Sequence, residues 1–390
     1  MHLLFATSIV PDGALASGYE IANAAIIAAL RRAGARVTVL GFAWPGRPVA
    51  DPANTIVLGA VDVRTDSASA TQKLTWLARA MLSGLTFSSV KLRAVSDETV
   101  RAAIERAGPF DGYVLNSVQF AGAFQALFGD RPSIFVAHNV EHASAGENAT
   151  AAADIVQRLL FRREARLLRR LEERLCGRAR FVFTLAEEDR AALGVASEER
   201  SAVLPLVTSP APSQPERPRR IDCDAALIGT WTWQPNRVGL DWFLGKVAPR
   251  LRSDFRIRIA GSVPSGMAAT HPGIVFVDRV PDARAFVRSA AVIPLISTAG
   301  SGVQLKTVET FELGLPSVAT SHSLRGIDHR PANCVVTDDP AAFAAALEAA
   351  AADVHDVDGG AFHKRQIEAL DAAVARGLVR LGAVGKEAFA

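Results

Sequence analysis

The start of the chain alternates between apolar runs and a helical pattern. Residues 2–10 form an apolar run, and the stretch after it places apolar residues on one helix face, namely Ile21, Ile26, Ile27 and Leu30. Gly34 is placed to end that helix, and the sequence RVTVLGF at 36–42 is the next apolar run. A strand, a helix and a strand within about 40 residues form the unit from which parallel sheets are built. The pattern therefore predicts an α/β domain at the N-terminus.

The alternation continues along most of the chain, with one interruption. Further buried strands are predicted at 113–117, 133–137 and 180–184, and Thr184 with Glu187 has the spacing of a capping box that opens a short helix. Five prolines between Pro205 and Pro218 then favour a stiff, extended linker. Beyond it, strands are predicted at 225–229, 256–260, 274–277, 291–296 and 316–320, and helices at about 236–252, 282–290 and 303–313. Two successive α/β domains follow from this pattern.

Composition supports a globular protein and excludes several classes. The 390 residues are 49% hydrophobic and 21% charged, which suits two domains with substantial cores. A net charge of +3 gives no argument for nucleic-acid binding. The three cysteines, Cys176, Cys223 and Cys334, are far apart and are interpreted as reduced thiols. Without a signal-peptide pattern or an apolar run of about 18 residues, the chain is predicted to be soluble and cytoplasmic.

The segment from Ser297 to Glu309 carries the strongest chemical signal. An apolar strand leads into a loop with Gly300 and Gly302, and the loop leads into a helix. Glycines let a ligand approach the backbone, and the amides and dipole at a helix start favour an anion such as a diphosphate. Lys306 and Glu309 share a helix face, so a cation and a carboxylate would lie near that end. Local chemistry alone is equally compatible with an ordinary strand–loop–helix and a surface ion pair.

Several segments, in order, resemble the GT-B glycosyltransferases of the large retaining family 4, the glycosyl transferases group 1. GSGVQLKTVETFELGLPSVAT is similar to the donor-site signature of that family, and LIGTWTWQPNRVGLDWFLGKVAPRL resembles the opening of its C-terminal domain. FRIRIAGSVPSG and AVIPLISTAGSG fall in the expected order. In the N-terminal half, the Gly18 loop, PSIFVAHNVEH and FVFTLAEEDRAAL resemble the same family. The resemblance covers most of residues 1–330.

The resemblance implies an α/β fold of two Rossmann-like domains facing each other across a cleft. Residues 1–204 would then bind the acceptor, 205–221 would be the proline-rich linker, and 222–375 would bind the nucleotide sugar. A C-terminal segment, 376–390, would pack back on the first domain, as in other GT-B enzymes. The nucleotide sugar is a co-substrate, so no cofactor is expected.

The resemblance also assigns roles to individual residues. Glu309 matches the second glutamate of the E-x7-E motif and would hold the ribose, while Lys306 would face the diphosphate in a catalytic role. The other donor-side residues would contact the diphosphate or the sugar: Gly229, Thr230, Asn236, Arg237, Ser301, Gly302, Val303 and Gln304. His138 matches the catalytic histidine that approaches the transferred sugar, and Gly18 matches the loop near the acceptor.

The chain departs from the family pattern at two positions. Ser301 stands where the E-x7-E motif has its first glutamate, so a carboxylate that contacts the donor sugar is missing. Thr230 and Trp231 stand where the family has an arginine, and Arg237 is the alternative source of positive charge. Trp231 and Trp233 either fill the core or stack on a ring of the donor.

Other patterns have weaker support. His138 to His142 fits the H-x-x-E-H pattern of zinc peptidases, but a strand end at His138 would separate the two histidines, so His142 is interpreted as structural and no metal is expected. The segment 158–180 carries nine arginines against three glutamates on an amphipathic pattern. It is either a core-packed helix with a solvated basic face, or a peripheral contact with anionic lipid on the inner face of the cell membrane. Nucleic acid is not an expected partner.

The predicted function is transfer of a sugar from a UDP- or GDP-sugar to a glycan or lipid-linked oligosaccharide in polysaccharide biosynthesis, with retention. A nucleotide-sugar epimerase of the same fold is one alternative. A non-catalytic paralogue that binds a nucleotide is the other, suggested by Ser301. Fold alone does not separate these hypotheses.

Overall fold

The computed structural model describes residues 1–14, 17–65, 68–209, 211, 219–264 and 266–382. Within it the chain forms two compact units. The first comprises Met1–Leu204 and the chain from Ala369 onwards, and the second comprises Pro205–Glu368. Parts of the predicted linker and of the predicted C-terminal segment, 210, 212–218 and 383–390, lie outside the described residues.

A seven-stranded parallel sheet forms the centre of the first unit. Its strands are β1 (His2–Ile9), β2 (Arg36–Ala43), β3 (Thr55–Ala60), β4 (Gly112–Asn116), β5 (Ser133–Ala137), β6 (Phe181–Thr184) and β7 (Ser201–Val203). They are ordered β3-β2-β1-β4-β5-β6-β7. Nearly every residue of β1, β4, β5 and β6 is buried, which is why these strands appear in the sequence as continuous apolar runs.

Helices cover both faces of this sheet. They are α1 (Gly18–Arg32), α2 (Ala70–Ser83), α3 (Phe87–Lys91), α4 (Asp97–Ala107), α5 (Val118–Ala123), α6 (Glu141–Ala151), α7 (Ile155–Arg178) and α8 (Glu187–Ala192). A capping box of Ser17 and Glu20 opens α1. The capping box predicted for Thr184 and Glu187 is wrong, because Ala186 is the N-cap residue and the Thr184 hydroxyl donates to the Ala186 carbonyl instead.

The second unit repeats this architecture with six parallel strands. They are β8 (Cys223–Ile228), β9 (Ile257–Ala260), β10 (Ile274–Val277), β11 (Ala290–Leu295), β12 (Ser317–Ala319) and β13 (Cys334–Val336), in the order β10-β9-β8-β11-β12-β13. Its helices are α9 (Gln234–Trp242), α10 (Ala283–Arg288), α11 (Leu305–Glu312), α12 (Pro340–Ala352) and the start of α13 (Gly359–Gly382). After α9 the helical path continues as π and 3₁₀ turns to Arg250.

The C-terminal helix α13 belongs to both units. Its last turns pack on the first unit, where Arg32 forms an ion pair with Asp371 and Leu381 lies against Gly112. Gly377 contacts the Phe183 ring so closely that a Cβ there would lie 2.4 Å from it. The C-terminal part of the chain therefore belongs to the first unit from Ala369 onwards, whereas the predicted segment begins at 376.

Each sheet reverses its strand order once, between β1 and β4 in the first unit and between β8 and β11 in the second. The connections from the two strands at such a point leave in opposite directions, so a crevice opens beside their carboxyl ends. Ligands of open α/β sheets bind in these crevices. The fold therefore directs the search for a functional site to the residues that follow these four strands.

Candidate functional site

A cavity lies at the point of reversal in the second sheet. The ends of β8 and β11 form its floor, and α9 and the first turns of α11 form its walls. It holds about 630 Å³ of empty space, the open mouth included. Four predicted donor-site residues line it, namely Asn236, Gln304, Lys306 and Glu309. The structure thus brings together residues that are far apart in the sequence.

Lys306 places its ammonium group against the end of β8. Its Nζ lies 5.0 Å from the centre of the Trp231 ring. A Cβ at Gly229 would come within 2.7 Å of the same atom, so only glycine leaves room for the ammonium there. Lys306 is exposed as a residue, but desolvation of its ammonium lowers the pKa of Lys306 to about 8 against an opposing effect of Glu309. Among the described residues, none forms a hydrogen bond or an ion pair with this ammonium.

The loop before α11 has the backbone that its glycines predict. Gly300 and Gly302 have φ values of +99° and +76°, which other residues rarely adopt. The side chain of Val303 packs against the apolar core of the unit, and Val303 does not line the cavity. In the described part of the chain, the amides of Leu305 and Lys306 have no hydrogen-bond acceptor, as expected for the first turn of a helix.

Glu309 is oriented by a residue that the sequence analysis missed. Arg284, on α10, donates from Nε to the Glu309 carboxylate at 3.0 Å, and it also lies 3.4 Å from the Thr208 hydroxyl. The Thr208 amide in turn donates to Glu312 on α11. The Arg284 side chain therefore links Glu309 to the segment that follows the first unit in sequence. No local motif marks Arg284, because its partners are distant in the sequence.

The remaining donor-side residues do not all reach the cavity. Arg237 forms an ion pair with Asp241 one turn further along the helix, at 2.8 Å, and does not line the cavity wall. Thr230 is exposed, and Asn236 donates to its carbonyl oxygen. Trp231 is a core residue whose indole donates to the Ala260 carbonyl, whereas Trp233 is exposed. Positive charge at the cavity therefore comes from Lys306.

His138 follows β5 directly, the strand beside β4 and one strand away from the reversal point of the first sheet. Its Nε2 lies 2.8 Å from Oδ1 of Asn116, the last residue of β4. Burial lowers the pKa of His138 to about 4, so the imidazole is neutral at physiological pH. Gly18, the predicted acceptor-side residue, is the first residue of α1 and is exposed. Asn116 was missed, although a polar residue that ends an apolar strand is a detectable signal.

A second polar group lies beside His138. Ser117 is buried and has a φ of +73°, a strained conformation for a residue with a side chain. Its hydroxyl bonds Gln119, whose amide donates to Glu141 at 3.2 Å. Burial, and then the nearby Glu172 carboxylate, raise the pKa of Glu141 to about 7. The Glu141 carboxyl therefore keeps its proton to a higher pH than an ordinary glutamate does.

The two histidines of the H-x-x-E-H pattern have separate partners. His142 bonds Glu172 through Nδ1 at 2.6 Å, whereas His138 bonds Asn116. Within the residues that the structure describes, no group of three histidine, cysteine, aspartate or glutamate side chains is arranged to hold a metal ion. That no metal or cofactor is required stays a prediction.

The basic segment forms the long helix α7, which packs Leu168, Leu171 and Leu175 into the core. The apolar residues of its first turns are not buried as the amphipathic pattern predicts. Leu159 is 55% exposed, and Ile155 and Val156 are each 59% exposed. Arg163 donates to backbone carbonyls near the end of α2 and is structural. In the described ranges, no helix is long and apolar enough to cross a membrane.

The environment of Lys306 can be tested without any ligand. The chain has six lysines, so the Cε signals of ¹³C-labelled lysine are resolvable, and Lys306→Met identifies the one that belongs to Lys306. Since burial disfavours the charged form, we expect this lysine to lose its proton at about pH 8 rather than at the ordinary 10.5. A midpoint near the ordinary value would contradict the enclosed position of the ammonium.

Residues 224–353 match the family model of Glycosyl transferases group 1, a span that contains the whole cavity. No protein of curated function matches the chain.

Solved structures with the same fold cover essentially the whole chain. Sucrose-phosphate synthase from Thermosynechococcus elongatus superposes with a TM-score of 0.60 at 14% identity, covering 100% of this chain and 99% of that one. A UDP-forming α,α-trehalose-phosphate synthase from Burkholderia xenovorans, in complex with glucose-6-phosphate, has a TM-score of 0.57 at 14% identity, covering 97% and 99%. Anabaena HepE in complex with UDP has a TM-score of 0.52 at 13% identity, covering both chains fully.

These similarities confirm the predicted fold class, α/β with two Rossmann-like domains of the GT-B type. The match of residues 224–353 adds the sequence pattern of a glycosyltransferase to the unit that contains the cavity. Residues 224–353 are thus similar in sequence to Glycosyl transferases group 1, and the chain as a whole is similar in fold to GT-B glycosyltransferases.

Proposed function

We propose that this protein transfers a sugar from a UDP- or GDP-sugar to a glycan or a lipid-linked oligosaccharide in polysaccharide biosynthesis, with retention of configuration. One observation carries the proposal. The cavity of the second unit combines the Lys306 ammonium, which forms no ion pair within the described residues, with helix-start amides and the Glu309 carboxylate. A nucleoside diphosphate needs these groups, because it presents a ribose beside a concentrated negative charge.

Each group of the cavity has a proposed part in the reaction. Glu309, held by Arg284, accepts hydrogen bonds from the ribose hydroxyls. Lys306 and the amides of Leu305 and Lys306 lie against the diphosphate. When the anomeric bond breaks, negative charge grows on the departing diphosphate, and these preorganised donors stabilise it as it forms. The Lys306 ammonium does not have to move when this charge forms, because it already lies against the Trp231 ring and Gly229.

The sugar-facing side of the cavity is less acidic than in the family pattern. Ser301, half-buried, stands in place of a carboxylate, so its neutral hydroxyl would offer a weaker hydrogen bond to the donor sugar. His138 and the Gly18 loop belong to the proposed acceptor and sugar side. As a neutral imidazole, His138 supplies hydrogen bonds and no charge there.

The proposal is tested by incubating the purified chain with a panel of UDP- and GDP-sugars and lipid-linked acceptors. Release of the free nucleotide, and the product, are followed together. We expect nucleotide release that depends on the acceptor, because transfer needs the acceptor hydroxyl. Conversion of the donor without an acceptor would instead indicate an epimerase, and binding without turnover would indicate a non-catalytic protein.

The position of the nucleotide is tested by Glu309→Ala. A hydrogen bond to a charged group contributes about 1.5–3 kcal/mol, so we expect UDP to bind about 10- to 100-fold more weakly. Isothermal titration calorimetry measures this, with Asp241→Ala as the control, since Asp241 pairs with Arg237 away from the cavity lining. Equal affinity in Glu309→Ala and the wild-type chain would remove Glu309 from the nucleotide site.

We further propose that the first unit contacts anionic membranes through α7. Arg162, Arg166, Arg169 and Arg170 are all exposed on this helix. Exposed Ile155 and Leu159 lie on the same helix face, one turn before the arginines. Arg163 joins α7 to the end of α2, which itself exposes Met81 and Leu82 at 54% and 89%. Apolar side chains flanked by arginines are typical of surfaces that lie in the lipid headgroup region.

Replacing the four exposed arginines by glutamine tests the membrane contact. Each basic residue near an anionic surface contributes about 1 kcal/mol, so we expect binding to phosphatidylserine-containing vesicles to fall more than tenfold in sedimentation assays. The matched control replaces four exposed arginines elsewhere on the unit, Arg36, Arg101, Arg106 and Arg131, and so changes the net charge equally. Equal losses in the two variants would show a general charge effect and no α7 surface.

A further inference from the structure

A groove lined by arginines runs between α6 and α7 of the first unit, apart from the donor cavity. This α6–α7 groove holds about 1000 Å³ of empty space, open solvent included. On one side it is lined by Arg158, Arg162 and Arg166, which follow one another at intervals of four residues and so lie on one face of α7. On the other side α6 contributes only small residues, namely Gly146, Ala149 and Thr150. Long cationic side chains therefore face a wall that leaves room for a ligand.

No carboxylate balances the positive charge of the α6–α7 groove. Its lining contains no aspartate or glutamate, and within the described residues none of its three arginines forms an ion pair. Asp154, four residues before Arg158, accepts hydrogen bonds from the first amides of α7 as its N-cap. Glu164, between the other two arginines in sequence, accepts from the Phe87 amide instead. Neighbouring cations without a counter-charge create a local positive potential, which an anion would relieve.

The arginines of the groove retain donors for a ligand. Arg158 is half-buried and donates from one Nη to the Ala152 carbonyl at 3.0 Å, which holds its side chain near the end of α6. Arg166 donates from Nε to the Arg162 carbonyl at 3.3 Å. Each guanidinium has further N–H groups beyond these. Phosphate oxygens accept such N–H groups in pairs, so arginine is well suited to bind them.

We propose that the α6–α7 groove binds a phosphate monoester or diphosphate group presented by a membrane lipid. Three arginines match such a group, which carries about two negative charges at pH 7, better than a phosphodiester with one. The lipid source follows from Ile155 and Leu159, which are exposed at the start of the same helix and would be buried only at a membrane. The inference adds a specific headgroup to the proposed membrane contact of α7, and it rests on that proposal only for the source of the phosphate.

Inorganic pyrophosphate is a soluble probe of the groove. It is titrated calorimetrically into the full chain carrying Lys306→Met, so that the donor cavity contributes less to the signal. We expect its affinity to fall about tenfold or more when Arg158, Arg162 and Arg166 are all replaced by glutamine, because charge-assisted hydrogen bonds to the phosphates are lost. Absence of pyrophosphate binding in the Lys306→Met chain itself would overturn the proposal.

The matched control replaces three exposed arginines elsewhere on the first unit, Arg101, Arg106 and Arg131, by glutamine in the same Lys306→Met chain. The net charge changes equally in the two triple variants, so a general attraction to anions would weaken equally in both. We expect the control to bind pyrophosphate as the Lys306→Met chain does. Equal losses in the two triple variants would overturn the assignment of the site to the groove.

A single substitution tests the groove with every arginine in place. Thr150 is exposed on α6 and lines the groove, so Thr150→Glu introduces a carboxylate that would pair with the arginines and compete with the ligand. Thr150→Gln has nearly the same shape without the charge. In the Lys306→Met chain, we expect Thr150→Glu to weaken pyrophosphate binding about tenfold or more, and Thr150→Gln to leave it unchanged. An unaltered affinity in Thr150→Glu would overturn the proposal.

Vesicles of two compositions identify the source of the phosphate. One set contains phosphatidic acid, a phosphate monoester, and the other contains phosphatidylserine, a phosphodiester, in proportions that give the same total negative charge. We expect the wild-type chain to sediment preferentially with phosphatidic acid, and Thr150→Glu to remove this preference while Thr150→Gln retains it. Equal binding to both sets, together with groove-dependent binding of pyrophosphate, would overturn the lipid source and assign the site to a soluble phosphate compound.

Failure of this inference is distinguishable from failure of the proposed function. A chain that transfers no sugar, or binds neither set of vesicles, would contradict the proposed function or the membrane contact. If its pyrophosphate affinity still depended on the groove, the phosphate site itself would stand. Sugar transfer together with a pyrophosphate affinity that is insensitive to Thr150→Glu would contradict the present inference alone.

Discussion

In a parallel sheet all strands end on the same side, so the loops that follow them lie together there. The single reversal of strand order in each unit sends two neighbouring loops in opposite directions and leaves a crevice between them. Polar residues can be placed at the strand ends only because this crevice gives them room. In the second unit the crevice contains the Lys306 ammonium and the amides of the α11 start. In the first it contains the hydrogen-bonded cluster of Asn116 and His138. The chemistry of both units follows from this one feature of topology.

Close backbone contact keeps these crevices narrow. Gly239, on α9, is so near the carbonyl oxygen of Ile296 that a Cβ would lie 2.3 Å from it. Gly261, which follows β9, would place a Cβ 2.0 Å from the Gly229 oxygen and has a φ of +106°. Both glycines therefore let a neighbouring segment approach the end of a strand that borders the cavity. A residue with a side chain at either position would force these backbone segments apart.

Sequence patterns predicted the parts of this structure that depend on local periodicity. The buried strands β1, β5, β6 and β9 were visible as apolar runs, because a central parallel strand is covered on both faces. Edge strands such as β3 and β13 were missed, since they are half-exposed or only three residues long. Lys306 and Glu309 were found because one short helix carries both.

Contacts between distant segments were not predictable. The hydrogen bond from Asn116 to Asn23 joins residues 93 positions apart, and the ion pair of Arg284 with Glu309 depends on how α10 packs beside α11. The exposed start of α7 was also missed. Its leucines continue the helical period of the core-facing ones, and periodicity cannot show where the core ends.

Burial lowers the pKa of both His138 and Lys306, but the groups around the two residues differ in charge. His138 is buried against the Asn116 amide, which carries no charge and so does not stabilise the imidazolium cation. Lys306 is buried in a cavity that can admit an anion. A diphosphate entering there would supply the missing counter-charge and raise the pKa of Lys306 again, so that the proton and the ligand stabilise each other. The positive charge of Lys306 would thereby be strongest when an anion occupies the cavity.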